Sequence, residues 1–369
     1  MNNYKNRRAR LISSIGVDAF LVFDLDRILP RSIDHEGLFY LTGYTGEGAL
    51  LICRDEAILL TDSRYVEQAG KEAPGLILRH AEGDYLAEIA AVIQEKGIQR
   101  LAFASWRMTH FVVERLRDIT GIDLVVAADP VRKMRAVKDA GEIELIRKAT
   151  KISEEALADL INETELGMNE VDIAFRFGLL MREKGAERTS FDMTVASGPN
   201  SSLPHYRPSL GRRRLAAGDL LLFDFGAVVE GYSSDMTRTF IVGKATSKQK
   251  DVYDWVLKAT EASLSKLRAG ILGQEVHQAA VDVIERSPYK DYIFLSPVGH
   301  GVGLEVHELP RMGLDPDVLE PGMVVTVEPG IYIPGFGGVR IEDIAVVTED
   351  GYELLTSFPR ERLIEIART

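Results

Sequence analysis

The chain has 369 residues, of which 46% are hydrophobic and 27% charged, a composition typical of a globular protein with more than one domain. Its 44 basic and 56 acidic residues give a net charge of −12, which disfavours nucleic acid or an anionic membrane as the main partner. The one cysteine, Cys53, lies in the apolar run ALLIC, so an internal disulfide is excluded and an inert core thiol is expected.

The N-terminal segment MNNYKNRRARLISSIG is basic but lacks the apolar stretch of a secretory signal. No run of the sequence approaches the roughly 20 apolar residues that a membrane-spanning helix needs. We therefore expect a cytoplasmic protein without a membrane partner.

Residues 1–129 alternate short apolar runs with amphipathic stretches, which predicts a small α/β domain. Strands are indicated by the runs AFLVF, GALLIC, EAILLT, RLAFA and DLVVA, each bounded by turn or charged residues. Helices are indicated by YLAEIAAVIQEKG and THFVVERLRDITG, which end on a glycine suited to a helix C-terminus. No GxGxxG motif or phosphate-binding loop occurs in this part of the sequence.

Residues 130–369 form the second predicted domain, which begins with a polar, basic segment and a long amphipathic helix. Asp139 and Glu142 have capping-box spacing at the start of that helix. Two more helices are predicted, one from about Ser247 to Leu267 and one after Gly273. Strands are predicted in GDLLLFDFGAVV, YSSDMTRTFIVG, GMVVTVEPGIYI, GVRIEDIAVVTED and YELLT. Helices gathered on one side of a mostly antiparallel sheet describe an α+β domain.

Five residues of the second domain stand in apolar or glycine-rich surroundings: Asp224, Asp235, His300, Glu328 and Glu342. Four carboxylates and one imidazole brought together would repel one another, and most of the carboxylates would have to protonate. Two divalent cations would remove that penalty and supply a means of hydrolysing an amide. If the five side chains converge, the set predicts a two-metal centre.

Each of these residues also has a purely structural interpretation. A hairpin through GAVVEGYSS would place Asp224 and Asp235 across from each other, but Asp235 could instead pair with Arg238. Glu342 could pair with Arg340, which lies two positions before it. Both interpretations stay open at this point.

His300 lies in SPVGHGVGLEVHE, where glycines permit close backbone approach. A lone histidine is more often a structural residue than a ligand, but the glycines and the second histidine, His307, favour a ligand here. The remaining histidines without a motif are interpreted as structural or surface residues: His35, His80, His110 and His277.

The ordered set resembles the pita-bread metallopeptidases, specifically their Xaa-Pro dipeptidase (prolidase) and aminopeptidase P branch. The family's ligand order is Asp, Asp, His, Glu, Glu, with ten residues between the aspartates. The matching positions are Asp224 and Asp235, His300 in GHGVGLEVHE, Glu328 in TVEPG and Glu342 in RIED. The segment VASGPNSSLPHY resembles the substrate-side loop and points to His205, while YLTGYTGEGALL and LLTDSRYVEQA extend the similarity into the first domain.

The resemblance implies an α/β N-terminal domain and an α+β pita-bread (creatinase/aminopeptidase-like) catalytic domain with two pseudo-symmetric halves around the metal site. It further implies that Asp235 and Glu342 bridge the two metal ions, with Asp224 completing one site and His300 and Glu328 the other. This oxygen-rich donor set suits Mn²⁺ or Co²⁺, with Zn²⁺ as an alternative.

The implied reaction is hydrolysis of the Xaa-Pro bond in dipeptides, in which a hydroxide shared by the metals attacks the scissile carbonyl. Glu328 would carry the proton to the departing proline nitrogen, and His205 and His307 would hydrogen-bond the carbonyl or the tetrahedral intermediate. Arg340 would hold ligating carboxylates or meet the substrate carboxylate. The proline preference rests on the resemblance alone, because the sequence shows no pocket shaped to the ring.

Two alternatives remain open. The first is an Xaa-Pro aminopeptidase that acts on longer peptides, although many aminopeptidase P chains are longer than this one. The second is a non-catalytic or metal-free pita-bread protein, such as the creatinase-like enzymes, which the retention of all five ligand positions disfavours. Methionine aminopeptidases fit less well because they usually lack such an N-terminal domain.

The resemblance also implies a homodimer, and the segment DSRY, with Asp62 and Tyr65, is where a contact between subunits is expected. The alternative is that Asp62 caps the helix that follows. Two departures from the family pattern stand out. Ser296 occupies a position where the family often has a histidine, and the stretch DRILPRSIDHEGLFYLTG around Tyr40 is longer than the usual connection.

Overall fold

The computed structural model describes residues 3–25, 34–81, 83–210, 213–293, 296–313 and 316–366. The chain divides into two compact units, Met1–Arg135 and Ala136–Thr369. This division falls at the end of the helix Pro130–Ala136, whereas the predicted boundary between residues 129 and 130 falls at its start. The unusually long stretch before Tyr40 includes residues 26–33, which lie outside the described residues.

The described part of the first unit is built on a six-stranded mixed sheet. Its elements are α1 Tyr4–Ile15, β1 Ala19–Asp24, α2 His35–Thr42, β2 Gly48–Cys53, β3 Ala57–Thr61, α3 Val66–Glu72, β4 Ile77–His80, α4 Tyr85–Glu95, β5 Arg100–Ala104, α5 His110–Thr120, β6 Asp123–Ala127 and α6 Pro130–Ala136. The strand order is β4-β3-β2-β1-β5-β6. Antiparallel pairs join β1, β2 and β3, and the outer pairs are parallel.

The five apolar runs predicted as strands coincide with β1, β2, β3, β5 and β6. The pattern does not predict β4, because its four residues are exposed or half-buried and show no apolar alternation. Both predicted helices are confirmed as α4 and α5, and Gly121 ends α5 in the left-handed conformation that glycine adopts at low cost. Cys53 is half-buried at the end of β2, and burial raises the pKa of its thiol, which is consistent with an inert group.

The prediction that Asp62 caps a helix beginning at SRY is wrong. Helix α3 begins at Val66, its cap residue is Tyr65, and no side chain caps it. Asp62 instead accepts hydrogen bonds from the backbone and guanidinium of Arg64 and from the Tyr85 hydroxyl, because the chain turns tightly between β3 and α3. These bonds, from Arg64 first, lower the pKa of Asp62 to about 2.

In its described residues the second unit combines four long helices with short strands. Its elements are α7 Ala140–Glu163, α8 Glu170–Glu183, β7 Arg188–Thr189, β8 Thr194–Ser197, β9 Leu220–Phe225, β10 Ala227–Val229, β11 Tyr232–Ser233, β12 Met236–Val242, α9 Ser247–Lys266, α10 Gly273–Ile284, β13 Gly299–Gly301, β14 Glu308–Met312, β15 Val324–Val327, β16 Gly330–Ile333, β17 Gly337–Arg340, β18 Asp343–Val347, β19 Tyr352–Leu354 and β20 Ile364–Ile366. The predicted capping box is present, since Asp139 and Glu142 each accept from the other's backbone N–H at the start of α7.

The predicted antiparallel pairing is confirmed for most strands, but the described strands are divided among four sheets rather than one. Their orders are β11-β10-β7, β20-β12-β9-β8, β14-β13-β15-β18-β19 and β16-β17. Apolar residues of α7 and α8 pack with β8, β9, β10 and β12 in one core. Those of α9 and α10 pack with β15, β17 and β18 in a second core. Two helix pairs thus each cover their own set of strands.

None of the helices in the described ranges is both long enough and apolar enough to cross a membrane.

Candidate metal centre

The first pair of acidic residues lies where β9 meets β12. Asp224 is in β9 and faces Thr194 of β8 on one side and Thr237 of β12 on the other. Asp235 directly precedes β12, which begins at Met236. It therefore lies two positions before Thr237, the residue that pairs with Asp224. Because side chains alternate along a strand, Asp235 and Thr237 share the face that Asp224 occupies. The predicted hairpin is confirmed, with this offset in its register.

The other three residues come from the strands of the second core. His300 is the central residue of β13, Glu328 follows β15 directly, and Glu342 lies in the break between β17 and β18. Glycine is required beside His300: a Cβ on Gly299 would lie 1.9 Å from the Thr326 carbonyl oxygen. A Cβ on Gly301 would lie 2.1 Å from the carbonyl oxygen of residue 309. The two glycines therefore allow β13 to lie tightly between β14 and β15.

All eight residues predicted for the site line one cavity of about 380 Å³: Asp224, Asp235, His300, Glu328, Glu342, His205, His307 and Arg340. Other residues of its wall are Phe191, Tyr206, Arg207, Ser296, Val306 and Arg311. Ser296, which stands where the family often has a histidine, thus belongs to the cavity wall. The four histidines interpreted as structural are absent from the cavity's described lining: His35, His80, His110 and His277.

Three of the side chains are arranged as a cluster that could hold a metal ion. Asp235, His300 and Glu342 each offer one donor atom, these atoms lie within 4.8 Å of one another, and all three residues are buried. His300 Nε2 also lies 3.5 Å from Asp235 Oδ2 and 3.3 Å from Glu328 Oε1. Its Nδ1 lies 3.1 Å from the Gly301 carbonyl oxygen. A donated Nδ1–H would leave Nε2 free to coordinate a cation.

Glu342 provides a direct test of whether the residues suit a metal. Its Oε2 accepts a hydrogen bond of 2.7 Å from Thr237 Oγ1. Its Oε1 is buried and accepts no hydrogen bond among the described residues. A buried carboxylate oxygen without a partner is costly, and coordination of a hard cation would remove that cost. The donors at this position therefore fit a divalent metal ion.

Arg340 is the central cation of the site. Its Nη2 lies 2.5 Å from Asp224 Oδ2, and its Nε donates to Thr237 Oγ1 over 2.7 Å and lies 4.0 Å from Glu328 Oε2. Its Nη1 donates to the Tyr332 hydroxyl over 2.8 Å. The expected contact with an acidic residue of the set is thus made to Asp224. The alternative ion pair with Glu342 is not found among the described residues, although the charge of Arg340 still acts on that carboxylate and opposes the rise in its pKa.

The alternative pairing of Asp235 with Arg238 is also wrong. Arg238 is buried and binds Asp343, with 2.7 Å between Nη2 and Oδ1. It faces away from the cavity because it is an odd number of residues from Asp235 along the strand. Among the described residues the ion-pair contact of Asp235 is with His300 rather than with a guanidinium group.

The pKa values of the buried carboxylates are shifted in different directions. Burial, followed by repulsion from Glu342 and Asp224, raises the pKa of Asp235 well above its ordinary value. Burial and the charges of Glu328 and Asp224 do the same to the pKa of Glu342. For Glu328 burial acts in the same direction, but the hydrogen bond and charge of His300 outweigh it and lower the pKa. Asp235 and Glu342 are therefore the two carboxylates most in need of a compensating cation.

His307 and His205 occupy the cavity near these acids. The ring centroids of His300 and His307 are 4.2 Å apart. Partial burial and then the charge of His300 lower the pKa of His307 to about 4. A neutral imidazole at neutral pH can both donate and accept a hydrogen bond.

Sequence comparison assigns both units of the chain. Residues 144–349 match the model of metallopeptidase family M24, and residues 6–137 match that of the creatinase/prolidase N-terminal domain. The chain belongs to metallopeptidase family M24. The predicted fold is confirmed: a creatinase-type α/β domain followed by a pita-bread domain.

Three relatives of this M24 metallopeptidase illustrate the likeness. The Xaa-Pro dipeptidase of Pyrococcus furiosus is 36% identical over 330 residues, covering 88% of this chain and 92% of that protein. The structure of a Xaa-Pro dipeptidase from Bacillus anthracis matches with a TM-score of 0.90 and 35% identity, covering 98% of this chain and 99% of the other. That of an X-Pro aminopeptidase from Thermotoga maritima matches with a TM-score of 0.89 and 35% identity, covering 96% and 99%. The resemblance to the prolidase and aminopeptidase P branch is confirmed.

Sequence reasoning missed three polar residues that organise the site. Thr237 donates to Glu342 and accepts from Arg340, Tyr332 accepts from Arg340, and Thr326 accepts from the His300 backbone N–H. Only Thr237 had a usable signal, since it lies two residues after Asp235 and so on the same face of the strand.

Proposed function

We propose that this metallopeptidase hydrolyses the Xaa-Pro bond of dipeptides with two divalent metal ions, Mn²⁺ or Co²⁺ before Zn²⁺. The observation that carries the chemistry is the buried cluster of Asp235, His300 and Glu342, with Asp224 and Glu328 in the same cavity. The substrate class is supported by the dipeptidase relatives at about 36% identity.

In this proposal all five residues would hold the ions: Asp235 and Glu342 would contribute to both sites, Asp224 to one, and His300 and Glu328 to the other. When bound, the ions supply Lewis acidity for the scissile carbonyl and acidify a water molecule. Arg340 holds the Asp224 carboxylate in its orientation through the 2.5 Å contact. The residues that hold the ions and the arginine that orients one of their carboxylates thus line the same cavity.

The remaining residues move the proton and stabilise charge. The water oxygen adds to the carbonyl carbon, and Glu328 takes the proton from that water. Glu328 then delivers the proton to the proline nitrogen as the carbon–nitrogen bond breaks, so no proton is gained or lost overall. His205 and His307 donate hydrogen bonds to the oxygen that becomes negatively charged.

An Xaa-Pro aminopeptidase is the second candidate, because the Thermotoga maritima X-Pro aminopeptidase matches this structure almost as well as the dipeptidase does. The comparison that separates them uses chelator-stripped enzyme reloaded with Mn²⁺, Co²⁺ or Zn²⁺. Ala-Pro and Ala-Pro-Ala are offered separately, and kcat/KM is measured for each. We expect the dipeptide to be preferred. A preference for the tripeptide would assign the aminopeptidase, and hydrolysis of neither would reject the proposal.

We also propose that the protein is cytoplasmic and forms a homodimer, as the family resemblance implies. Sedimentation velocity at micromolar concentration tests the dimer, and we expect a mass near twice that of the 40.9 kDa chain. A monomer across the concentration range would contradict this part of the proposal. Asp62 is 8% exposed and bound within its own unit, so Tyr65 is the better position at which to seek a contact.

A further inference from the structure

One carboxylate outside the predicted set has no part in the chemistry described above. Glu170 is the first residue of α8 and is 0% exposed. A carboxylate without access to water is retained only if hydrogen bonds or charges replace its hydration. The N-terminus of the helix supplies part of that replacement, because its partial positive charge favours an acidic residue in the first turn.

Hydrogen bonds from a single stretch of chain supply the rest. Oε1 of Glu170 accepts from the Ser197 backbone N–H over 2.6 Å and from the Ser197 hydroxyl over 2.7 Å. Oε2 accepts from Asn200 Nδ2 over 3.0 Å and from the Tyr206 hydroxyl over 2.8 Å. These donors are neutral and lie between positions 197 and 206, so Glu170 ties this segment together at several points.

The segment 197–206 leads from the end of β8 into the cavity. His205 and Tyr206 at its far end are lining residues. Partial burial and the bond to Glu170 raise the pKa of Tyr206 to about 12, so its hydroxyl stays a donor at neutral pH. The segment has no metal donor in the cluster described above.

The opposite side of the segment contacts the strand that carries Arg340. Ser201 Oγ accepts from the Gly338 backbone N–H over 2.9 Å, and the Pro204 carbonyl oxygen accepts from Arg340 Nη1 over 3.3 Å. The segment is thus held between Glu170 on one side and β17 on the other. Loss of either attachment would let this part of the cavity wall shift, while the five proposed metal ligands would remain present.

We propose that Glu170 is a positioning residue for substrate binding, whose carboxylate holds the segment 197–206, through Tyr206 among others, so that His205 faces the reacting carbonyl. The inference rests on the proposed function, in which His205 contacts the substrate. A carboxylate is required because it only accepts. The amide of glutamine would direct N–H groups towards Ser197 or Tyr206, which are themselves donors.

A second buried glutamate provides a matched control. Glu154 of α7 is 9% exposed and accepts from the Ser357 backbone N–H and hydroxyl and from the Phe358 backbone N–H. It therefore holds a loop in the same way, but that loop does not line the cavity in the described structure. Both Glu170→Gln and Glu154→Gln disturb a buried carboxylate, but only Glu170→Gln affects the segment 197–206. A kinetic effect seen only in Glu170→Gln is therefore due to the position of that segment.

The experiment measures steady-state kinetics on Ala-Pro, bound metal and hydrogen–deuterium exchange for the full chain reloaded with Mn²⁺. For Glu170→Gln we expect kcat/KM to fall roughly 10- to 100-fold, the range for residues that orient a site. We expect KM to rise, which a mere loss of folded molecules would not cause. Metal content should be unchanged, and the amides of residues 197–206 should exchange faster. Glu154→Gln should show neither change in this segment nor a raised KM.

Asn200→Ala provides a second variant if Glu170→Gln does not fold. It removes a side chain that donates to the Glu170 carboxylate and that does not itself line the cavity. It should raise KM in the same direction. Ordinary KM and exchange in folded Glu170→Gln, or in Asn200→Ala if the first variant does not fold, would overturn the inference. If the wild-type protein does not hydrolyse Ala-Pro, the proposed function fails, while faster exchange in segment 197–206 still shows that Glu170 holds it.

Discussion

The two carboxylate oxygens of Glu342 have different surroundings, and this difference is direct structural support for a bound metal ion. Oε2 accepts from Thr237, whereas Oε1 is buried without a hydrogen bond among the described residues. Burying an unpaired acceptor costs on the order of 1–3 kcal/mol, more if it is charged. Coordination by a cation would offset this cost. A cation would also offset the burial and the repulsion from Glu342 that raise the pKa of Asp235.

Glu328 differs from the other acids because His300 lowers its pKa despite burial. Replacing Glu328 by Ala should reduce kcat on Ala-Pro by roughly 10²-fold or more, since both proton transfer and a metal donor are lost. The thermal midpoint should stay near that of the wild type. The exposed Glu320→Ala is the control, and it should retain full activity. Unchanged kcat in Glu328→Ala would remove this residue from the mechanism.

The sequence was sufficient to bring the eight predicted site residues to one cavity, because an ordered motif set constrains widely separated positions. It was insufficient for Thr237 and Arg238, whose partners lie in strands distant in sequence, and for Tyr332, whose partner Arg340 lies in the adjacent strand β17. Thr237 and Glu342 are 105 positions apart, and no local pattern reports which strands lie side by side. The two structural pairings considered from local spacing failed for the same reason.

Among the secondary-structure elements, β12 and β18 are joined by a buried ion pair. Arg238 and Asp343 have side chains 2% and 1% exposed, and Arg238 also donates to the Glu342 carbonyl oxygen. The pair therefore fixes the break between β17 and β18 from which Glu342 reaches the cavity.

Replacing Arg238 by Met should destabilise the second unit by about 3 kcal/mol, the lower end for a broken buried pair, because Arg360 still contacts Asp343. The midpoint of thermal unfolding should fall by roughly 6–12 °C. Arg360→Met, which removes the more exposed partner, should lower it less. Equal midpoints for wild type and Arg238→Met would show that the pair does not stabilise this junction.

The turn between β3 and α3 depends on the charge of Asp62. Its pKa in the folded protein, about 2, lies below the ordinary value of 3.8, so the ionised form is the one that stabilises the fold. This stabilisation is complete above pH 4 and is lost as the pH falls through 2. Asp62→Asn should lower the unfolding midpoint at pH 7, and the difference from wild type should shrink below pH 4.

The exposed Asp55→Asn serves as the control for this pH series and should not differ from wild type at any pH. A difference between wild type and Asp62→Asn that stays constant from pH 7 to pH 3 would contradict the account of the turn. The strand before Asp62 follows from its apolar pattern, but the turn after it depends on Arg64 and Tyr85, and Tyr85 is distant in sequence.

At the scale of the whole molecule, the elements of the proposed chemistry belong to the second unit. In the described residues two helix pairs cover two apolar cores, and strands or strand ends beside each core carry residues that line the cavity. Asp224 and Asp235 come with the first core, and His300, Glu328 and Glu342 with the second. The alternation and motif patterns predicted both domain classes, whereas the division of the second unit into four sheets depends on long-range pairing that no local pattern shows.

In the proposed function, two catalytic metal ions bind to Asp224, Asp235, His300, Glu328 and Glu342. The most direct measurement adds Mn²⁺ in known amounts to chelator-stripped protein and follows both bound metal and the rate of Ala-Pro hydrolysis. We predict no activity before addition and a rise that reaches its plateau at two ions per chain. Full activity in stripped protein, or a plateau with no metal bound, would contradict the claim.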